Sequence, residues 1–204
     1  MGYLANTYNH AKKYADTEKL EIKVLDQRNK VLRKEHPYAM GNLAATCHNL
    51  GKYADAEKLQ IQVLDLKNRL LGQEHPDTIS AMGDLADTYH SLKKYADAEK
   101  LQIQVLDIRN RLLGQEHPDT ISAMGRLADI YYSAGEYGDA EKLKIQVVDL
   151  RNRLLKEGHP DTITAMGDLA DTYRGLEKYG NAEKLEIKVL DIQNRLLGQE
   201  QRSY

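Results

Sequence analysis

The chain has a single cysteine in 204 residues, so an internal disulfide is excluded. All four prolines, Pro37, Pro76, Pro118 and Pro160, stand in His-Pro pairs, so none interrupts the stretches between them, as a helical array requires. Strand and hairpin signals are missing. No apolar run approaches the ~18 residues of a membrane span, and the N-terminus lacks the apolar core of a secretory signal. The formal net charge of −2 gives no overall footprint for nucleic acid or an anionic membrane. These absences predict a soluble protein of a reducing compartment, cytoplasmic by default, with neither nucleic acid nor membrane as partner.

What the chain does have is a period. His-Pro-Asp-Thr begins at His75, His117 and His159, at intervals of 42 residues, and opens three full copies, 75–116, 117–158 and 159–200. The first two share 29 of 42 positions, which favours expansion by recent duplication. Residues 36–74 form a fourth copy lacking three residues, since His36-Pro37-Tyr38-Ala39-Met40 replaces the longer His-Pro-Asp-Thr-Ile-Ser-Ala-Met. Residues 1–35 are a fifth copy cut at its front, and 201–204 form a tail. A period of this length predicts one supersecondary unit stacked into a single array over 1–204. Because the chain begins inside a repeat, it reads as a fragment whose first unit lacks a solvating cap.

Within 75–116, Ile79, Met82, Leu85 and Tyr89 draw one apolar stripe at helical spacing, predicting helix A over roughly 76–91. Pro76 suits its first turn, where a missing N–H costs nothing, and Asp77 complements the helix dipole. A break follows at Lys93-Lys94, where other copies use Gly51 and Gly135 as left-handed caps. Helix B carries Ala98, Leu101, Val105, Ile108 and Leu112 on one face, with Ile103, Leu106 and Leu113 on a second. Two stripes predict burial on two sides, against its own helix A and against a neighbouring unit. Gly114 and Gly198 are placed to cap helix B. Such a pair cannot bury both faces alone, so the expected fold is an all-α solenoid of 42-residue antiparallel helix pairs.

The residues Met82, Leu85, Ala86, Tyr89, Tyr95 and Ala98 reproduce the apolar, small and aromatic pattern of the tetratricopeptide repeat (TPR), and the match recurs in every copy. The chain therefore resembles a TPR protein, for which the resemblance implies a right-handed superhelix. The 42-residue length and the ending Arg-Leu-Leu-Gly-Gln-Glu-His-Pro are similar to the kinesin-light-chain type, with eight residues, ~12 Å of helix, beyond the short form. The near-identical copies also resemble repeat tracts of fungal and bacterial NACHT or NB-ARC proteins, without their NTPase motifs. Cys47 and Thr17 depart from the aromatic and small positions, so the two N-terminal copies are expected to pack less well. The missing three residues should shorten helix A of 36–74 by nearly a turn and leave an irregularity beside 1–35.

Positions that differ among copied units are free of the shared packing constraint. In TPR arrays helix A lines the concave groove, and there the copies read Tyr3, Asn42, Asp84, Arg126 and Asp168 at one position. They read Asn6, Ala45, Asp87, Asp129 and Asp171 at a second, and Asn9, His48, His90, Tyr132 and Arg174 at a third. The aspartates form an acidic stripe punctuated by Arg126 and Arg174, which is either a solvated face or a ligand surface for a basic or mixed-charge peptide. Candidate partner contacts are Asn42, Asp84, Asp87, His90, Arg126, Asp129, Tyr132, Asp168, Asp171 and Arg174. Gly2, Gly41, Gly83, Gly125 and Gly167 precede the first of these positions inside a helix, at a cost of roughly 0.5–1 kcal/mol each. Close approach of a neighbouring helix is the favoured reason, close approach of a ligand backbone the alternative.

The histidines His36, His75, His117 and His159 fall one to a repeat, too far apart to share a metal ion at ~2.0–2.1 Å, so local hydrogen bonding in the turns is expected. Cys47 reads as a buried, inert thiol. Asp107 with Arg111, recurring as Asp65/Arg69, Asp149/Arg153 and Asp191/Arg195, reads as structural i, i+4 pairing. No phosphate loop, zinc-ligand cluster or nucleophile elbow is present, so neither catalysis nor a cofactor is expected. The expected function is a non-enzymatic scaffold whose groove binds a peptide or helical segment of a partner protein. The alternatives are end-to-end self-association, or service as the sensor or oligomerisation tail of a larger signalling NTPase.

Overall fold

A computed structural model describes residues 14, 16–23 and 37–200, and every described element is helical. Helix α1 is described over 16–23. It is followed by α2 (Pro37–Asn49), α3 (Tyr53–Leu71), α4 (Pro76–Ser91), α5 (Tyr95–Leu113), α6 (Pro118–Ala134), α7 (Tyr137–Leu155), α8 (Pro160–Gly175) and α9 (Tyr179–Glu200). The chain divides into two compact units, 1–101 and 102–204, with the boundary inside α5. The helices are shorter than the 42-residue period, 16 residues for α4 and 19 for α5, and turns make up the remainder.

The His-Pro pair starts each full-length helix A. His75 caps α4, its Nδ1 accepting the Asp77 N–H at 3.1 Å, with Pro76 in the first turn. His117 and His159 cap α6 and α8 in the same way, at 3.1 and 3.2 Å. The expected local role of the turn histidines is thereby met, with the ring acting as an N-cap acceptor. His36 lies outside the described residues. Helix α2 has 13 residues against 16 in α4, the expected shortening. The irregularity expected beside 1–35 lies largely outside the described residues.

Two turns per repeat demand a left-handed backbone. At the end of helix A it falls on Gly51 (φ +74°) and Gly135 (φ +84°), and equally on Lys93 (φ +60°) and Glu177 (φ +58°). At the end of helix B it falls on Gly72, Gly114 and Lys156. Gly198 departs from this expectation, because α9 runs through it to Glu200. Gly114 is followed by Gln115-Glu116-His117-Pro118, and a residue before proline is driven out of the helical region, whereas Gly198 is followed by Gln199-Glu200-Gln201-Arg202.

The helix-A stripe is the core. In unit 1, Met40 and Val63 pack with Ala81, and Leu43 with Cys47 and Ala56. In unit 2, Met124, Val147 and Ile192 surround Met166, which is wholly buried; a side chain of that size contributes ~1.5–3 kcal/mol of burial. Ala98, Val105 and Ile108 of helix B are buried as expected. The second face of helix B is covered only in part: Leu106 packs against the unit 2 core, whereas Ile103 is 36 % exposed and Leu113 46 %. Leu112, in the last turn of the first face, is 47 % exposed.

Ion pairs tie the turn after helix A to the helix B before it. Lys52 meets Glu18 at 2.7 Å, Lys94 meets Glu57 at 2.6 Å, and Lys178 meets Glu141 at 2.7 Å. A second tie joins the end of helix B to the next helix A. Lys67, Arg109 and Arg151 donate to the carbonyls of Asp77, Asp119 and Asp161 at 3.1, 2.9 and 2.8 Å. The expected i, i+4 pairing closes at Asp65/Arg69, 2.8 Å. Arg153 is bonded to Glu116, and Arg195 lies 3.8 Å from Glu157 with its Nε on the Asp191 carbonyl.

Candidate functional site

Each unit holds a cleft between two consecutive helices A, floored by the helix B that joins them. In unit 1, α2, α3 and α4 enclose about 380 Å³, lined by Asn42, His48, Gln60, Lys67, Asp84 and Asp87 among others. In unit 2, α6, α7 and α8 enclose about 280 Å³, lined by Arg126, Asp129, Lys144, Arg151 and Asp168 with small neighbours. Six of the ten sequence-derived contacts therefore fall into two groups of three, one in each cleft.

The other four lie outside those linings. His90 packs its ring 5.9 Å from that of Tyr95, and Tyr132 meets Tyr137 edge-on at 5.3 Å. Asp171 and Arg174 are bonded to each other, and Arg174 also to Glu186, so the stripe is partly neutralised within its own helix pair.

The two clefts occupy one register and differ in chemistry. In unit 2 the floor is Lys144, whose side chain is only 8 % exposed. Its ammonium stands 3.0 Å from Asp129 Oδ1, donates to the Asp168 carbonyl at 3.3 Å, and lies 5.0 Å from the centre of the Tyr132 ring. A desolvated cation is tolerable only when paired and hydrogen-bonded, and these groups supply both. Burial raises the Asp168 carboxyl above its ordinary range; Lys144 opposes the shift, and Asp129 adds to it.

In unit 1 the equivalent floor residue is Gln60, 7 % exposed, with Oε1 lacking a hydrogen-bond partner. Ala45 stands where unit 2 has Asp129, and His48, its Nε2 3.4 Å from Ser91 Oγ, stands where unit 2 has Tyr132. Two carboxylates, Asp84 and Asp87, face the single Lys67 in this lining, whereas three cations face two carboxylates in the other.

The floor residues escaped a comparison confined to helix A. Their signal was in the sequence, since the copies read Glu21, Gln60, Gln102, Lys144 and Glu186 at this helix-B position, as varied as any on helix A. Three of the five helix-A glycines depart from the expected close packing, while Gly83 is buried and Gly2 lies outside the described residues. A Cβ placed on Gly41, Gly125 or Gly167 would meet nothing within 4 Å, so no neighbouring helix approaches them. Gly41 and Gly125 instead line the clefts.

Cys47 is 3 % exposed, and burial, followed by the nearby Glu18 carboxylate, pushes its thiol up, in keeping with an inert group. No group of three or more potential metal ligands occurs among the described residues, and no described helix is long and apolar enough to cross a membrane.

Two family models described as tetratricopeptide repeat match the chain, one over residues 38–111, 86–151 and 119–195, the other over 1–38. Among solved structures, the nearly identical TPR-like repeats of kinesin-light-chain type from Podosopora anserina are similar. There the identity is 27 % and the TM-score 0.82, over 95 % of this chain and 93 % of that one. BtubC (BKLC) from P. vanneervenii is similar at 20 % identity with a TM-score of 0.79, over 96 % and 79 % of the two chains. MamA shares 15 % identity with a TM-score of 0.63, over 94 % and 95 %. These last two speak to the fold alone. No curated protein matches.

Proposed function

The chain belongs to the tetratricopeptide repeat family, an all-α helical-repeat solenoid of kinesin-light-chain-like type, and from that premise we propose that its helix-A face binds a segment of a partner protein. The family is typically one of non-catalytic protein-interaction scaffolds, and the ligand proposed here is an extended or helical segment of basic or mixed charge. The observation that carries this reading is the pairing of variable residues with open glycines. Asn42 and Arg126, which differ between copies, line clefts together with Gly41 and Gly125, which do not.

A glycine within a helix costs roughly 0.5–1 kcal/mol relative to alanine, and packing does not account for it here. An absent side chain beside a cleft lets a ligand backbone come close, while the neighbouring variable residue reads the ligand's side chain. Charges of both signs in the linings suit a polar partner segment and give an association that salt weakens.

Selection of displayed dodecapeptides on the whole chain tests this. Selected peptides are expected to lose affinity on charge reversal at Asp87 and Asp129 and on raising the salt. Retention of full affinity through both changes sinks the groove reading.

A further inference from the structure

We infer that the unit 1 cleft is a receptor for a lysine side chain of the partner, seated on Gln60 between Asp84 and the ring of His48. The inference rests on the scaffold reading and adds the chemistry of one of its pockets.

The unit 2 cleft already contains a lysine, supplied by the chain itself. Lys144 rises from the floor, pairs with Asp129, bonds the Asp168 carbonyl and lies over the Tyr132 ring. The unit 1 cleft, built from the same positions one pair of repeats earlier, keeps three features of that ammonium site. Asp84 stands where Asp168 does, the His48 ring where the Tyr132 ring does, and Val63 and Ala81 where Val147 and Ala165 do. It lacks the internal lysine and, with Ala45 for Asp129, that lysine's carboxylate partner, so an ammonium there would rely on the Asp84 and Asp87 carboxylates of the lining. Gln60 is in the lysine's place, a neutral group with a buried Oε1 that no donor satisfies.

A buried acceptor without a donor is costly, and an ammonium is a donor with three N–H groups. The unit 1 cleft is also the roomier, about 380 Å³ against about 280 Å³, and its lining carries more carboxylate than cation. An acidic ligand side chain would meet Asp84 and Asp87 and still leave Gln60 Oε1 unsatisfied. A norleucine would fill space and satisfy nothing. Lysine meets the acceptor, the carboxylates and the aromatic ring together.

The test titrates the whole chain, isotopically labelled, with the blocked pentapeptide Gly-Gly-Lys-Gly-Gly and with analogues carrying norleucine or glutamate in place of lysine. The lysine peptide is expected to shift the backbone amides around Gly41–His48 and Ala81–Asp87 and the Gln60 side-chain amide. It should bind about tenfold more tightly than the norleucine peptide, as a charge-assisted hydrogen bond implies. Gln60→Lys supplies the cation internally and should bring the lysine peptide down to the norleucine level. Lys144→Gln should make the unit 2 cleft newly responsive to it. Should Q60K fail to fold, the double variant D84N/D87N takes its place with the same expected loss.

Equal binding of the lysine and norleucine peptides, or unchanged lysine binding in Q60K or D84N/D87N, overturns the inference. Selected groove-binding peptides that place no basic residue against the unit 1 cleft also overturn it, and leave the scaffold reading standing. Failure to select any groove-binding peptide overturns both.

Discussion

The Lys144 ammonium lies 3.0 Å from an Asp129 carboxylate whose side chain is 55 % exposed, while the lysine itself is almost wholly covered. The partners are therefore not equivalent, since loss of the aspartate strands a desolvated cation, whereas loss of the lysine leaves a wettable carboxylate. Asp129→Ala is expected to destabilise the protein by about 1–2 kcal/mol, held to that range by Asp129's exposure and by Lys144's remaining bond to the Asp168 carbonyl. Lys142→Ala, which breaks the exposed pair with Asp139, should cost clearly less. Urea unfolding of both variants makes the comparison, and equal losses would refute the asymmetry.

Gly125→Ala separates stability from recognition. The new methyl group meets nothing within 4 Å and removes glycine's entropic cost, so the variant should gain ~0.5–1 kcal/mol of stability. The same methyl group narrows the unit 2 cleft, so affinity for selected peptides should fall. A variant that is more stable and binds normally would show that the glycine serves no ligand.

The histidine caps are expected to behave as caps. His75→Ala should lose ~1 kcal/mol, while His75→Asn, which keeps an acceptor at this position, should retain most of it. Equal losses in denaturant midpoint for the two variants would show that the Nδ1 bond is not what counts.

Asp168 makes the protein's stability depend on pH in an uncommon direction for an aspartate. Its carboxyl is raised in the folded state, chiefly by burial, so between its ordinary value of 3.8 and the folded value the native state holds more of the proton. Stability from this group is then greatest below that window and falls as pH rises through it. Asp168→Asn should remove that slope, which unfolding midpoints of both proteins from about pH 3.5 to about pH 7 would show. A difference between the two that is independent of pH would contradict the assignment.

Left-handed turns filled by side chains mark where stability can be raised. Lys93 and Glu177 hold φ near +60° at the position where Gly51 and Gly135 stand in other copies. A non-glycine residue there costs about 1–2 kcal/mol, part of which glycine returns as unfolded-state entropy. Lys93→Gly and Glu177→Gly should each stabilise the protein by up to ~1 kcal/mol, read as a rise in melting temperature.

Much of the fold could be read from the chain. His-Pro starts, the stripe through Met82 and Leu85, and the three-residue deletion that shortens α2 all act through local chemistry, which sequence displays directly. Burial of Leu112 and Leu113 was misjudged because an apolar residue signals only that it can be covered, not that a neighbour reaches it. Gly198 was misjudged because a glycine permits a helix to end without compelling it; the His-Pro pair supplies the compulsion. At the clefts, disagreement among copies picks out Asn42, Arg126, Asp84, Asp87, Asp129 and Asp168, which line them, and Asp171, which does not. It misses Lys144 and Gln60 because they lie on helix B, and only three-dimensional packing brings that helix under the clefts.

Because a cleft's polarity turns on a few residues within one block and the next, Gln60 or Lys144 among them, recombination between misaligned copies would exchange pockets like beads on a string. Such an exchange leaves caps, stripes and turns untouched and reorders which side chains line successive clefts. The same redundancy that makes the repeats interchangeable as building material makes their order the variable part of the molecule, so shuffling existing clefts changes the surface before any new one arises by point mutation.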